Sequence, residues 1–184
     1  MQSMEMPGRN LKYRLSLILS ILGTSILIDQ TTKIISERYI PSRTPIVWLW
    51  GTIRLQHVKN AGAMLGMGSG LSEGARFLVF VILVSLALSA LFFYTLWNRR
   101  LRTEYIIAVS LILGGGLSNL IDRLMFHGVV RDFMNVGIGV VRTGIFNVAD
   151  MLILSGLALI LFAEFRRHRT GQEPSDHKQD TDPL

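Results

Sequence analysis

The chain has 184 residues, of which 49% are hydrophobic, and its mean hydropathy is +0.40. This composition is too apolar for a soluble domain of that length and indicates an integral membrane protein. Because cysteine is absent, disulfides, thiolate nucleophiles and Cys-based metal sites are excluded. The net charge of +6 comes from short basic clusters beside apolar segments, a pattern typical of membrane topology rather than of nucleic-acid binding.

Four apolar segments each approach the roughly 20 residues that a helix needs to cross a bilayer. The first is followed by no small-x-small cleavage site, so we interpret it as a retained helix and not as a cleaved signal peptide. The polar sequence DQTTK, residues 29–33, is predicted to turn the chain where this first span ends. The four predicted spans are residues 12–33, 77–97, 104–122 and 145–165.

Residues 1–165 are therefore predicted to form one four-helix membrane domain. Residues 166–184 are polar and contain proline, which indicates a disordered tail. Basic clusters precede the first span, fill the turn between the second and third spans, and follow the fourth. Because positive charge favours the cytoplasmic side, we expect both termini to be cytoplasmic.

Two longer connections, about residues 34–76 and 123–144, then lie on the outer side of the membrane. Within the first connection, residues 53–58 alternate between apolar and polar side chains, which predicts a half-exposed β-strand. The glycine-rich stretch at residues 64–74 predicts a mobile loop.

Ionisable and amide side chains gather at the outer ends of the predicted spans and, for Asp132, in the second outer connection. Each ionisable group inside a span costs about 2.5 to 3.5 kcal/mol on insertion scales, so such a cluster needs a reason. Alternating topology brings all of these side chains to the same membrane face, where they can converge on one site. They are Asp29, Lys33, Asn119, Asp122, Arg123, Asp132, Asn147 and Asp150.

Most of these side chains also have a structural interpretation. Asp29 and Lys33 are four residues apart and can form an ion pair within one helix. Asp122 can pair with its neighbour Arg123, and the asparagines can join helices by hydrogen bonds. The glycine run at residues 114–116 is more typical of close helix packing than of a substrate groove.

Asp150 is harder to explain by packing, because it lies inside an apolar span with no basic residue close by in its own segment. If its partner is another carboxylate, the two cannot both ionise at short range, and they share a proton. An aspartic peptidase uses this arrangement: the ionised carboxylate activates water while the protonated one hydrogen-bonds the scissile carbonyl. Spacing alone leaves Asp122 and Asp132 as alternative partners.

A small proton-coupled transporter is a second interpretation, because paired intramembrane carboxylates also relay protons. It predicts carboxylates near the bilayer midplane and often inverted repeats, whereas here the carboxylates gather at one face and no repeat is seen. The four histidines have no ligand spacing to one another, so we predict no metal site and no cofactor.

Five short motifs together resemble those of the lipoprotein signal peptidase (signal peptidase II) family, and the resemblance covers about residues 15–163. Any one motif alone is weak, but five in the right order, each at the outer end of a span or in an outer connection, are a strong signal. The motifs are DQxxK at 29–33, NxGA at 60–63, GGxxNxxDR at 115–123, VxDF at 130–133 and FNxAD at 146–150.

The resemblance implies a membrane aspartyl endopeptidase that removes signal peptides from diacylglyceryl-modified prolipoproteins, cutting before the lipidated cysteine. On this mapping Asp132 and Asp150 are the catalytic carboxylates. The substrate-binding and supporting residues are then Asp29, Lys33, Asn60, Gly62, Asn119, Asp122, Arg123 and Asn147.

The implied fold is all-α and integral to the membrane, with four transmembrane helices, a small extracytoplasmic β-cradle and a short periplasmic helix or loop over the site. The family further implies the bacterial cytoplasmic (inner) membrane, an active site at the periplasmic face, and prolipoproteins and membrane lipids as partners. We expect a monomer with no nucleic-acid partner.

Arg131 stands where the family usually has the second valine of VVDF, and the stretch from Asp122 to Asp132 is one residue longer than usual. A guanidinium beside the catalytic pair could lower the pKa of Asp132, or it could extend to lipid headgroups. Arg131 is also the one feature that favours a third interpretation, a non-catalytic protein of the same fold.

Overall fold

Four helices, each long and apolar enough to cross a membrane, make up most of a computed structural model that describes residues 10–62, 67–68 and 70–169. The helices are α1 (Leu11–Tyr39), α2 (Glu73–Trp97), α3 (Thr103–Met125) and α4 (Val148–Arg169). Within α2, the stretch Leu78–Leu83 is π-helical.

The predicted turn at residues 29–33 is wrong, because α1 continues through it to Tyr39. Asp29 and Lys33 are fully buried on one face of the continuous helix. Their polar groups are satisfied by each other and by neighbouring helices, so the helix does not need to end there.

A small antiparallel sheet links the two long connections, which join α1 to α2 and α3 to α4. The strands are β1 (Ile46–Trp48), β2 (Ile53–Asn60), β3 (Val130–Ile138) and β4 (Val141–Arg142), in the spatial order β1-β2-β3-β4. β2 confirms the strand predicted at residues 53–58. The β2–β3 register shifts between Leu55 and Val58, a bulge that precedes the pairing of Val58 with Asp132.

α3 is the central helix of the bundle and packs against the other three. In its most apolar stretch 56% of the residues are buried, against 6% in α2. A Cβ atom on Gly115 would lie 2.4 Å from the carbonyl oxygen of Ala149, and one on Gly156 would lie 2.5 Å from that of Ala108. The backbones of α3 and α4 therefore touch through glycine, and the glycine run serves close packing as predicted.

Gly115→Ala is expected to destabilise the protein by about 1 to 3 kcal/mol, because the new methyl group must push α4 away from α3. Unfolding free energy in mixed detergent micelles measures this effect. The matched control is Gly23→Ala in α1, where a Cβ atom meets nothing within 4 Å. Equal stability of the two variants would contradict the packing account.

Three predicted segments fall wholly or partly outside the described residues. The predicted mobile loop and the short helix over the site include residues 63–66 and 69, and most of the predicted tail is residues 170–184. The first four residues of that predicted tail, 166–169, are helical and belong to α4.

Candidate active site

Lys33 lies at the centre of a buried polar cluster between α1 and α3. Its Nζ lies 2.7 Å from Asp29 Oδ2 and 3.2 Å from Asp122 Oδ2, and all three side chains are inaccessible to solvent. The same Nζ donates a hydrogen bond of 2.9 Å to Asn119 Oδ1. One ammonium group thus serves three acceptors, which satisfies all of its N–H donors.

Asp29 joins α1 to both α3 and α4. Its Oδ2 accepts a hydrogen bond of 2.7 Å from Ser118 Oγ, and its Oδ1 accepts one of 2.7 Å from the backbone N–H of Ala149. Ala149 lies in the first turn of α4, where backbone N–H groups have no partner within the helix. The carboxylate therefore stabilises the start of α4 and fixes it against α1.

Asn147 and Asp150 form a reciprocal cap at the start of α4. The backbone N–H of Asp150 donates to Asn147 Oδ1 at 3.0 Å, and the backbone N–H of Asn147 donates to Asp150 Oδ2 at 3.1 Å. This is the geometry of a capping box with an Asn and an Asp in its two positions. Asp150 thus has a structural role that the sequence analysis missed, although the spacing N-x-x-D carries the signal.

Hydrogen bonds through the side chains of Asn147 and Asn119 connect Asp132 to Asp150. Asn147 Nδ2 donates to Asp132 Oδ1 at 2.6 Å and to Asn119 Oδ1 at 3.1 Å. Asn119 Nδ2 in turn donates to Asp150 Oδ1 at 3.0 Å. Asn60 Nδ2, from β2, donates to Asp132 Oδ2 at 2.8 Å. The two carboxyls are thereby oriented in one polar site between β3 and α4.

Asp122, the alternative partner of Asp150, belongs to a different part of the network. Its carboxylate contacts Lys33, and it accepts hydrogen bonds from Gln30 and Arg131. Asp132 is therefore the carboxylate that shares a hydrogen-bonding partner with Asp150.

Gly62 connects this site to Arg123. The backbone N–H of Gly62 donates to Asn60 Oδ1 at 2.9 Å, and its carbonyl accepts from Arg123 Nη2 at 2.9 Å. The Arg123 guanidinium also lies 5.1 Å from the centre of the Phe80 ring in α2. Arg123 thus ties the end of β2 to α2 and α3, and among the described residues no ion pair within 4.0 Å joins it to Asp122.

Burial raises the pKa of Asp132 from its ordinary value of 3.8 to about 6. The nearby Asp150 carboxylate acts in the same direction, whereas the hydrogen bonds from Asn60 and Asn147 and the charge of Lys33 oppose the shift. Asp132 is 2% exposed, so desolvation of its charged form is the dominant cause.

The folded protein binds the Asp132 proton more tightly than the unfolded chain does, so Asp132 makes folding less favourable as the pH rises from 4 to above 6. A shift from 3.8 to about 6 corresponds to about 3 kcal/mol. We expect the unfolding free energy of the wild type, minus that of Asp132→Asn, to fall by about this amount between pH 4 and 7. Parallel pH curves for the two proteins would refute the assignment.

The family model for signal peptidase (SPase) II matches residues 21–166. The chain belongs to the signal peptidase II family. It is therefore a protease, and with its four apolar helices it is a multi-pass protein of a bacterial membrane.

Curated relatives and solved structures agree with this membership. The chain is 33% identical to the lipoprotein signal peptidase of Nitratidesulfovibrio vulgaris (strain DP4), over 86% of this chain and 93% of that protein. It is 35% identical to the lipoprotein signal peptidase of Aquifex aeolicus (strain VF5), over 81% of this chain and 86% of that one. A bacterial membrane enzyme solved by the in meso method matches with a TM-score of 0.72 and 26% identity, over 87% of this chain and 94% of that one.

Two residues of this signal peptidase network were missed in the sequence analysis. Gln30 Nε2 donates to Ser118 Oγ and to Asp122 Oδ1, each at 2.9 Å. Gln30 is the second residue of the DQxxK motif, so the motif itself indicated that Gln30 belongs to the site. Ser118 carries no comparable signal, because it occupies an unspecified position of the GGxxNxxDR motif.

Proposed function

We propose that this signal peptidase cuts diacylglyceryl-modified prolipoproteins before the lipidated cysteine, with Asp132 and Asp150 as its catalytic carboxylates. The observation that carries the proposal is the placement of both carboxyls around Asn147, which donates to Asp132 and forms the reciprocal cap with Asp150. No third carboxylate of the described network is bonded to this asparagine.

The reaction needs one ionised and one protonated carboxyl. The ionised carboxylate takes a proton from water as the water oxygen attacks the scissile carbonyl carbon. The protonated carboxyl donates a hydrogen bond to the carbonyl oxygen, which stabilises the negative charge that develops there. The leaving amine then takes up the proton that the first carboxyl removed from water, the bond between the carbonyl carbon and the amine nitrogen breaks, and the pair again holds one proton. A raised pKa at Asp132 supports a pair that retains one proton near neutral pH.

The supporting residues hold this pair in position. Asn60 and Asn147 orient Asp132, and Asn119 orients Asp150. Lys33 places a positive charge next to Asn119 and so favours one ionised carboxyl in the pair. Asp29 and Asp122 hold Lys33, while Arg123 holds the backbone at Gly62.

We further propose that the sheet is an extracytoplasmic β-cradle that rests on the outer membrane face. The backbone N–H of Gly137 donates to the carbonyl of Thr52, which holds the β1–β2 and β3–β4 hairpins side by side. Trp50 and Val140, at the tips of these hairpins, are fully exposed. Exposed apolar and tryptophan side chains at adjacent tips are typical of a membrane-interface contact. The basic helix ends then lie in the cytoplasm.

Lipid modification explains how the substrate reaches the pair. The diacylglyceryl group keeps the modified cysteine at the membrane interface, since each buried methylene contributes about 0.8 kcal/mol to membrane retention. The scissile bond therefore lies at the same membrane depth as the end of α3 and the start of α4. Asp132, in β3, and Asp150, in the first turn of α4, are at this level. This route requires neither a metal ion nor a second subunit, and we propose that the protein works as a monomer.

A cleavage assay tests the proposed function. Purified protein in liposomes, with no ion gradient, is mixed with a diacylated lipobox peptide, and release of the signal fragment is followed by mass spectrometry. We expect cleavage on the amino side of the modified cysteine and none of the matching unlipidated peptide. Absence of cleavage would favour the non-catalytic alternative, and proton flux without cleavage would favour the transporter.

A further inference from the structure

Arg131 and Asp132 are consecutive residues of β3, so their side chains leave opposite faces of the strand. Asp132 faces Asn60 and Asn147. Arg131 faces away from this site and is 3% exposed. The guanidinium therefore neither lies beside the Asp132 carboxyl nor extends to lipid headgroups, the two roles considered from the sequence.

The buried guanidinium joins β3 to α1 and α3. Its Nη2 donates to Asp122 Oδ1 at 2.9 Å and to Gln30 Oε1 at 2.8 Å, and its Nε donates to Asp122 Oδ2 at 3.3 Å. A weaker pair joins Nη1 to Glu37 Oε2 at 3.3 Å. The Phe126 ring centre lies 4.3 Å from the guanidinium carbon. Fork-shaped contact with a carboxylate fixes both distance and angle, which a lysine or an apolar side chain does not.

The contact to Asp122 also involves the backbone of β3. The Arg131 N–H donates to Asp122 Oδ2 at 3.0 Å, so Asp122 accepts from both the main chain and the side chain of one residue. Asp122 is near the end of α3, and the connection from there to Arg131 includes His127 and Gly128, which both have positive φ. The ion pair closes this connection and so limits the freedom of the strand that begins at its end.

We propose that Arg131 is a positioning residue, which fixes Asp132 relative to Asp150 by fastening the start of β3 to Asp122 of α3 and Gln30 of α1. This inference rests on the proposed catalytic pair. It does not require Arg131 to touch the substrate. Asp132 is the next residue along the strand, so a shift of β3 moves its carboxyl directly, whereas Asp150 is fixed separately by the start of α4.

The first test measures kcat and KM of Arg131→Met on the diacylated lipobox peptide. We expect kcat to fall about 10- to 100-fold, since a displacement on the order of 1 Å costs that much, while KM changes less than about twofold. Arg131→Lys keeps the charge but not the fork and should lie between Arg131→Met and the wild type. The control is Arg43→Met, which removes an exposed arginine of the other long connection, residues 34–76, and should leave kcat unchanged.

A double-mutant cycle tests the route through Asp122. If Arg131 acts by holding Asp122, Arg131→Met made in an Asp122→Asn background should cost less than about twofold in kcat. Fold-losses that multiply independently would overturn the inference. So would a kcat of Arg131→Met equal to that of the wild type, measured on correctly folded protein.

Asp132→Asn separates failure of this inference from failure of the proposed function. If Asp132→Asn is inactive and Arg131→Met is fully active, the positioning role is wrong and the catalytic pair stands. If Asp132→Asn keeps its activity, the pair itself is wrong, and with it the reason to position Asp132. A loss of thermal stability in Arg131→Met without a change in kcat would assign Arg131 to structure alone.

Discussion

Replacing Asp132 or Asp150 by asparagine is expected to lower the cleavage rate by about 10²- to 10⁴-fold, the usual contribution of a general acid or base. Neither amide can take the proton from water or carry the proton that the pair shares. Each substitution keeps the size of the side chain and one acceptor oxygen. The inserted fold should therefore survive, and circular dichroism and gel filtration in detergent check that it does.

Asp150→Asn could also disturb the fold, because Asp150 takes part in the cap at the start of α4. Asp150 accepts from the backbone N–H of Asn147, and an asparagine oxygen can do the same, so the start of α4 is retained. Glu104→Gln is the matched control, because it removes a carboxylate at the opposite end of α3 and should leave cleavage unaffected. If either aspartate variant cleaves within about tenfold of the wild type, that residue is not part of the catalytic pair.

Lys33→Met is expected to destabilise the protein by about 3 to 5 kcal/mol, the usual consequence of removing one partner from a buried ion pair. Asp29 and Asp122 are inaccessible to solvent, and both contact the ammonium group. Without it, the Asp29 carboxylate has no counter-charge among its described contacts. The unfolding free energy in mixed detergent micelles measures the effect, and cleavage should fall as well.

Two further variants show whether charge is the cause. Lys59→Met removes an exposed lysine of β2 and should change stability by less than about 0.5 kcal/mol. Adding Asp29→Asn to Lys33→Met removes one uncompensated charge and should restore part of the lost stability. A double variant less stable than Lys33→Met would show that hydrogen bonds, and not charge, dominate at this site.

The membrane class, the four helices and the polar side chains at one end of them could be predicted from the sequence. Hydropathy reports the spans directly, because the bilayer imposes their length. The motifs could indicate which side chains gather, since each lies either at the end of a span or in one of the two long connections. The partners within the cluster could not be derived in the same way, as Asp122 illustrates. Its neighbour Arg123 bonds instead to Gly62, and its partner Arg131 lies nine residues away across a turn with positive φ.

The start and end of helices were predicted less well, for a related reason. The polar DQTTK sequence suggested a turn because such side chains are costly in a membrane helix. α3 and α4 supply partners for Asp29 and Lys33, so tertiary contacts override the local preference. At α4 the error was of the opposite kind. The N-x-x-D spacing of Asn147 and Asp150 indicates a capping box, but Asp150 was interpreted only as a candidate catalytic carboxylate.

The close contact at Gly115 connects helix packing to the proposed catalytic pair. The Ala149 carbonyl, which a side chain at position 115 would strike, belongs to the peptide unit directly before Asp150. The absence of a methyl group at position 115 of α3 thus determines how near the first turn of α4, which carries the proposed catalytic carboxylate, comes to the rest of the bundle. Variation at this glycine should change turnover even in proteins that remain folded, so the tolerance of the enzyme to mutation is limited at a position that takes no part in the chemistry.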